Sequence, residues 1–282
     1  MEIGGNKQEI FGIDNISLIK NIKHFDLCIE INKDDLSFAL INENHELVRL
    51  EKHTIKSETE KEKINKIEKI ILSNKFLKIR IRKCKLILND DLFTIVPNNL
   101  FDIKKYKEYY KFCFEKNKNQ EIIFKNTKSI NATSIFSIDK DLKGVILDFF
   151  PKTQITHASI NLINSFSNSL DNSENQNILI NINETNFQII LFEKDNLQLY
   201  NYFDYVKDED FLFYFLYVSK KLKIKQKECI INLSGKIEAT SNKTNLIKKY
   251  FKNINFMKLN NKTEIPFFFQ NINEHNFYNI LN

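Results

Sequence analysis

Two short polar clusters lie 151 residues apart: Asn32-Lys33-Asp34-Asp35 and Asn183-Glu184-Thr185-Asn186. Asp34 and Asp35 are hard oxygen ligands of the kind Mg²⁺ takes. Asn183, Thr185 and Asn186 carry amide and hydroxyl donors that suit a phosphate. Each cluster sits between two apolar runs, where a solvated hairpin turn is the ordinary use of such residues and the favoured one here. A third position of interest is Gly235, in Leu233-Ser234-Gly235-Lys236. It reads as a backbone requirement at a strand end, with the remnant of a nucleotide-facing loop as the alternative.

A different chemistry is suggested by Lys78, Arg80, Arg82, Lys83 and Lys85, which alternate with Ile79 and Ile81 to give a basic stripe on one strand face. Such a stripe suits nucleic acid or an acidic protein. An exposed strand face is the simpler account, and no interleaved aromatics point to base stacking. Asp26 and Glu30 fall on one face of the first strand, a nuclease-like placement, but two-metal chemistry needs further converging acids and the corresponding segment ILINI has none. His24, His45, His53, His157 and His275 are scattered, which argues against zinc. Ser159 with His157 and nearby acids forms no recognisable nucleophile motif. No Walker A or GxGxxG pattern occurs. No metal site is expected.

The elements that position these residues repeat. Strands are expected at 25–31, 36–41 and 47–52. A helix follows, opened by a Ser57/Glu60 capping box and striped by Ile64, Ile67, Ile70 and Ile71. A strand at 76–82 closes the set. The second set runs through strands near 178–182, 187–192 and 197–202, a helix at 211–222 preceded by acids, and a strand at 228–233. In one ungapped frame Ile31 falls on Ile182, Leu40 on Leu191, Asn44 on Asp195, Ser57 on Asp208, and 79–82 on 230–233. The order β-β-β-α-β therefore occurs twice, the signature of an internal duplication. Between the copies the pattern predicts a hairpin-like piece at 85–96, helices at 101–114, 139–150 and 159–170, and strands at 121–125 and 134–137. A helix at 243–252, a strand at 254–259 and a closing helix at 273–281 complete the second half.

Composition bounds the reading. The chain has 282 residues, 42% hydrophobic and 12% aromatic, enough for two cored domains. A net charge of +6 on 42 basic and 36 acidic residues is a modest excess and favours a solvated surface over a nucleic-acid footprint. Cys28, Cys84, Cys113 and Cys229 form no CxxC pair and read as free thiols in a reducing compartment. The opening MEIGGNKQEI lacks an apolar signal core, and FLFYFLYV is too short for a membrane span. A cytoplasmic location is expected.

Five segments carry a family resemblance: 29–38 (IEINKDDLSF), 93–101 (FTIVPNNLF), 180–190, 208–216 (DEDFLFYFL) and 233–238 (LSGKIE). On these the chain resembles the actin-like ATPase superfamily. It is more closely similar to a bacterial domain family of unknown function with that fold. The resemblance implies an α/β actin-like ATPase fold, with two RNase H-like lobes related by duplication and mixed sheets flanked by helices. The expected division is an arm at 1–23, a first lobe at 24–158 and a second at 159–282, with a Ser/Asn-rich linker at 167–177. Working members of the superfamily resemble one another in an Asp-x-Gly turn in each half and a strand ending in Gly-Gly. Here neither turn contains glycine and the strand end has one. The expected function is thus a non-catalytic, degenerate actin-like protein without a cofactor, whose partner, by analogy with pilus-assembly and cell-division homologues, is another protein. The alternatives are an ATP-binding switch or weak ATPase using Asp34, Asp35, Asn183, Thr185, Asn186 and Gly235 with Mg²⁺, and nucleic-acid binding through the 78–85 stripe.

Overall fold

A computed structural model describes residues 8–19, 22, 24–115, 117–170, 175–259, 263–269 and 272–282. Most of the 1–23 arm's first part and the middle of the 167–177 linker lie outside them. The described arm supplies strand β1 (Gln8–Gly12) and a 3-10 turn at Ile16–Ile19.

The first β-meander is β2 (Phe25–Ile31), β3 (Asp35–Asn42) and β4 (Leu47–Thr54). Then come α1 (Glu60–Ser73), β5 (Ile81–Leu88) and, much later, β9 (Gln154–His157). These strands form a six-stranded sheet in the order β1-β4-β3-β2-β5-β9, with β5 parallel to both β2 and β9. The second copy is β10 (Gln176–Ile182), β11 (Asn186–Glu193), β12 (Asn196–Asp204), α5 (Asp208–Lys221), β13 (Ile230–Gly235), α6 (Asn242–Lys248) and β14 (Asn253–Phe256). Its sheet runs β12-β11-β10-β13-β14, with β13 parallel to β10.

The duplication is visible in the bonds as well as the order. The 151-residue offset carries β2 onto β10 and β3 onto β11 end for end. It also carries the register break at Leu40/Ile41 onto the one at Leu191/Phe192. Both turns close alike: the Asn32 N–H donates to the Asp35 carbonyl and the Asn183 N–H to the Asn186 carbonyl, each at 2.8 Å. Beyond the meander the frame slips. Helix α5 begins three residues earlier than the offset places it, and β13, read by its pairing, four residues earlier. The coincidence of 79–82 with 230–233 is therefore not kept: Leu88, facing Ile31, is the counterpart of Gly235, facing Ile182.

Three local expectations change with it. The α1 cap is Thr59, whose Oγ1 accepts from the Glu62 N–H at 3.3 Å, while Ser57 donates to the Ile55 carbonyl. The strand expected at 76–82 opens instead as a 3-10 turn, Lys75–Lys78. Asn74 Oδ1 accepts from the Phe76 N–H at 2.9 Å, a local side-chain bond that competes with extension, and Phe76 and Leu77 turn into the core. Lys78 and Arg80 thus precede the strand, and only Arg82, Lys83 and Lys85 lie on it. The piece at 85–96 is not a hairpin. The chain leaves the first sheet after Leu88, and β6 (Phe93–Pro97) joins a separate antiparallel sheet, β6-β8-β7, with β7 (Gln120–Thr127) and β8 (Ala132–Asp139). Helix α2 (Tyr106–Cys113) covers that sheet through buried Tyr110.

Helices α1, α3 (Lys140–Phe149) and α4 (Ala158–Ser169) close one face of the first sheet around Phe25, Leu27, Ile29, Ile67, Ile146 and Phe166. A second core lies under α5 and α6, where Phe187, Phe211, Phe215 and Phe251 pack ring on ring. The closing helix is short: Glu274–Phe277 is a 3-10 turn and α7 spans Tyr278–Leu281. It packs on β2 and β3, so the end of the second half returns to the first sheet.

Candidate functional site: the seam between the lobes

Each first hairpin turn is narrowed by an Asn that bridges it: Asn32 Nδ2 donates to Asp35 Oδ1 at 2.8 Å, and Asn183 Nδ2 to Asn186 Oδ1 at 2.7 Å. The side chain does what glycine would otherwise allow the backbone to do, and the turn is locked. The two turns then meet. Thr185 Oγ1 donates to Asp34 Oδ2 at 3.1 Å, joining equivalent positions of the two copies. Asp35 is buried, and its Oδ2 accepts from Lys52 at 3.2 Å. Lys236 lies 3.9 Å from the same oxygen and is paired to Glu184. The structure therefore brings together Asp34, Asp35, Asn183, Thr185, Asn186 and Gly235, and ties most of them to one another.

Beneath the turns runs a chain of buried polar groups that sequence reading missed. Ser234 donates to Asn181 at 2.9 Å, Asn181 to Gln188 at 2.6 Å, and Gln188 to Asn89 at 2.6 Å. Asn89 donates to Glu30 at 2.9 Å, and Glu30 also accepts from Asn279 at 2.7 Å. All six side chains are buried. Gln188 and Asn89 lie 99 residues apart and join β11 to the chain just past the end of β5. One signal was available: Gln188 is the lone polar residue in the run 187–192, and a polar residue inside a covered strand must find partners. The partners themselves could not be read.

The cavity between the two turns is about 30 Å³, lined among others by Glu30, Asn32, Lys52, Asn183, Lys236 and Asn279, while a separate cavity of about 300 Å³ beside Asn32 and Asn89 is lined by first-half residues alone, Asp90, Ser137 and Asp139 among them. The smaller cavity admits a water molecule. Ligand pockets for nucleotide-sized molecules start near ~300 Å³. The Oδ1 atoms of Asn32 and Asn279, buried without a protein donor, belong to residues lining the smaller cavity.

Charge in the seam is finely set. Burial pushes the Lys52 ammonium down, with Lys236 adding to the effect and Asp35 opposing it. Burial works against Lys236 too, but Glu184 and Asp35 hold it up. Burial raises the Glu30 carboxyl above its ordinary value, against the two amide donors. Above the unfolded value the unfolded chain releases this proton first, so stability falls as pH rises through the folded value. Glu30→Gln keeps an acceptor for the amides and removes the titration. The variant is expected to gain stability over the wild type on going from pH 5 to pH 8. Denaturation midpoints at both pH values check this, and an unchanged difference refutes it.

Asp26, the other strand acid, does not join Glu30. It is held by Arg82 in a bidentate pair at 2.8 and 2.9 Å. The basic residues are exposed at Lys78, Arg80, Arg82 and Lys83 and half-buried at Lys85, so the stripe is real from Arg82 onward and is continued by loop residues before it. Unexpectedly, Ser159, His157 and Asp90 meet. The ring of His157 contacts Ser159 Oγ at 2.8 Å and Asp90 at 3.3 Å. This has the connectivity of a nucleophile relay, but Ser159 and His157 are fully enclosed, and the ring is stacked on Phe93 at 4.8 Å. No substrate reaches the hydroxyl. His157 instead caps α4 by accepting from the Ser159 N–H.

Comparisons place this geometry. A crystal structure from Bacteroides thetaiotaomicron VPI-5482, described as having an actin-like ATPase fold and unknown function, superposes with a TM-score of 0.77 at 22% identity, covering 89% of this chain and 95% of that one. The PilM–PilN type IV pilus biogenesis complex matches at a TM-score of 0.52 and 9% identity, over 91% of this chain and 97% of that chain. The ethanolamine utilization protein EutJ from Carboxydothermus hydrogenoformans gives 0.50 at 6% identity, over 91% and 88%. No curated protein matches. The fold is that of the actin-like ATPases, with two RNase H-like lobes. The family model described as "Protein of unknown function (DUF3822)" matches residues 14–254, and the chain belongs to that family.

Proposed function

We propose that this chain is a non-catalytic member of the actin-like fold that serves as a protein-interaction or scaffold element. The observation that carries the reading is the buried chain Ser234–Asn181–Gln188–Asn89–Glu30–Asn279, which fills the place between the lobes with the protein's own hydrogen bonds. Opening it for a nucleotide would strip several buried polar groups of partners at ~1–3 kcal/mol each. A similar fold occurs in the PilM–PilN type IV pilus biogenesis complex, an assembly of proteins. The proposed division keeps an arm at 1–23, a first lobe at 24–158 and a second at 159–282. A cytoplasmic location fits three buried free thiols, Cys28, Cys84 and Cys229. Among the described residues no helix is long and apolar enough to cross a membrane.

Mg-ATP is expected to leave the melting temperature unchanged at millimolar concentration. A ligand at one hundred times its Kd would add about 2.7 kcal/mol, and a shift of that order would overturn the reading. One observation favours the second reading, a nucleotide-responsive switch: Lys52 and Lys236 converge on Asp35 at the seam. That reading requires a shift with Mg-ATP that Lys236→Met abolishes.

A further inference from the structure

The proposal here rests on the interaction reading and names its surface. Strand β5 is central in the first sheet only over its second half. Its partner β9 begins opposite Lys85, at Gln154, and pairs onward to Leu88. Pro151 and Lys152 turn away before that point. Among the described residues, Ile81–Cys84 is paired to β2 on one side and has no paired strand on the other, where Thr153 reaches only the Cys84 thiol. The vacant lane is four residues long, about 13 Å at ~3.3 Å per residue.

Two cavities flank this edge, one on each face of the sheet. One, of about 660 Å³, is lined by Ile81 and Cys84 from the strand and by Leu77 and Phe149 beyond it. The other, of about 760 Å³, is lined by Lys83 and Lys85 from the strand and by Ile41 and Leu281. Arg82, Cys84 and Lys152 border both, so the cavities meet at the free edge. A strand laid along β5 would send alternate side chains into the two cavities, as β-strand addition requires.

The rim is cationic. Asp26 neutralises Arg82, but Lys78, Arg80, Lys83, Lys85 and Lys152 make no ion pair among the described residues. Such lysines also protect edges from chance pairing, but edge protection calls for no apolar cavity on either side. We infer that the open edge of β5 at Ile81–Cys84 takes an extended acidic segment of a protein partner as an added strand, with its apolar side chains seated in the flanking cavities. Nucleic acid would use the charges and leave the cavities idle.

The test uses the full chain and a fluorescein-labelled ten-residue peptide alternating Glu with Val or Leu, read by anisotropy. The same composition with a central proline and a Lys-for-Glu version serve as controls. Saturable binding is expected for the acidic peptide, at least tenfold weaker for both controls. The double variant Lys83→Glu/Lys85→Glu should lower affinity at least tenfold with an unchanged melting temperature, since neither side chain is in the core. Amide exchange should slow at residues 81–84 on binding. Equal binding of the proline peptide, exchange protection elsewhere, or binding only of a single-stranded oligonucleotide overturns the inference, as does no binding. None of these results touches the closed-seam reading, which stands or falls on Mg-ATP.

Discussion

Gly235→Ala is expected to destabilise the protein by about 4 kcal/mol, the sum of backbone strain and overpacking of a kind each worth ~1–3 kcal/mol. Gly235 ends β13 with φ +80°, a conformation L side chains seldom adopt. A Cβ there would lie 2.9 Å from both the amide nitrogen and the carbonyl carbon of Ile182, and closer still to its carbonyl oxygen. All three are backbone atoms of the central strand, so nothing can swing aside. The same carbonyl oxygen accepts from the Lys236 N–H at 2.6 Å, the bond that carries the chain across the seam. In a domain of this size the melting temperature should drop by roughly 10 °C. Gly144→Ala is the matched comparison. Gly144 sits inside α3 with nothing within 4 Å of a built Cβ, and there alanine should add about 0.5–1 kcal/mol. Urea titrations of both variants decide the matter. A Gly235→Ala protein as stable as Gly144→Ala would show that the strand end tolerates a side chain.

The second large effect is at Gln188. It is fully buried, donates to Asn89 and accepts from Asn181, both at 2.6 Å. Gln188→Leu preserves bulk but leaves the Asn89 Oδ1 and an Asn181 N–H without partners in a closed space. At ~1–3 kcal/mol for each abandoned group the cost is about 3 kcal/mol. A double-mutant cycle with Asn89→Ala should return a coupling of ~1 kcal/mol or more, since the two residues share one network. A loss below about 0.5 kcal/mol would mean that water reaches the seam, which would also weaken the case against a ligand there.

The meander was legible because apolar runs and Asn/Asp turns are local signals. Asn32 and Asn183 mark both first turns, while the register break eight residues beyond each left no mark in the pattern. The error grew with distance from those turns. The Asn74 side chain redirected the segment at 76–82 through one local hydrogen bond, and no periodicity encodes that. The third sheet was hidden because 93–97 pairs with 132–136 across an intervening helix and strand. At the site, turn residues could be named as candidates, but their fate was decided by partners far along the chain. Asp34 meets Thr185, and Glu30 meets Asn279, 249 residues away. The Glu51 carboxylate, by contrast, is held mostly by near neighbours on its own strand, Arg49 and His53, with Asn74 joining from 23 residues on. The missing glycines point to a degenerate site but do not say what takes their place. The bonds show two turns held shut by their own asparagines.

The packing of α7 on β2 and β3 bears on how the molecule is made. Synthesis delivers the first sheet early, yet Ala39, Leu47 and Leu50 lie in the same cluster as Ile280 and Leu281. That face is not fully covered until Phe269, Ile272 and then Ile280 and Leu281 have emerged. Contacts of such sequence separation are slow to form. The sheet that appears first on the ribosome is thus completed last, and a nascent chain stalled before α7 would present its bare apolar strands to whatever chaperone is at hand.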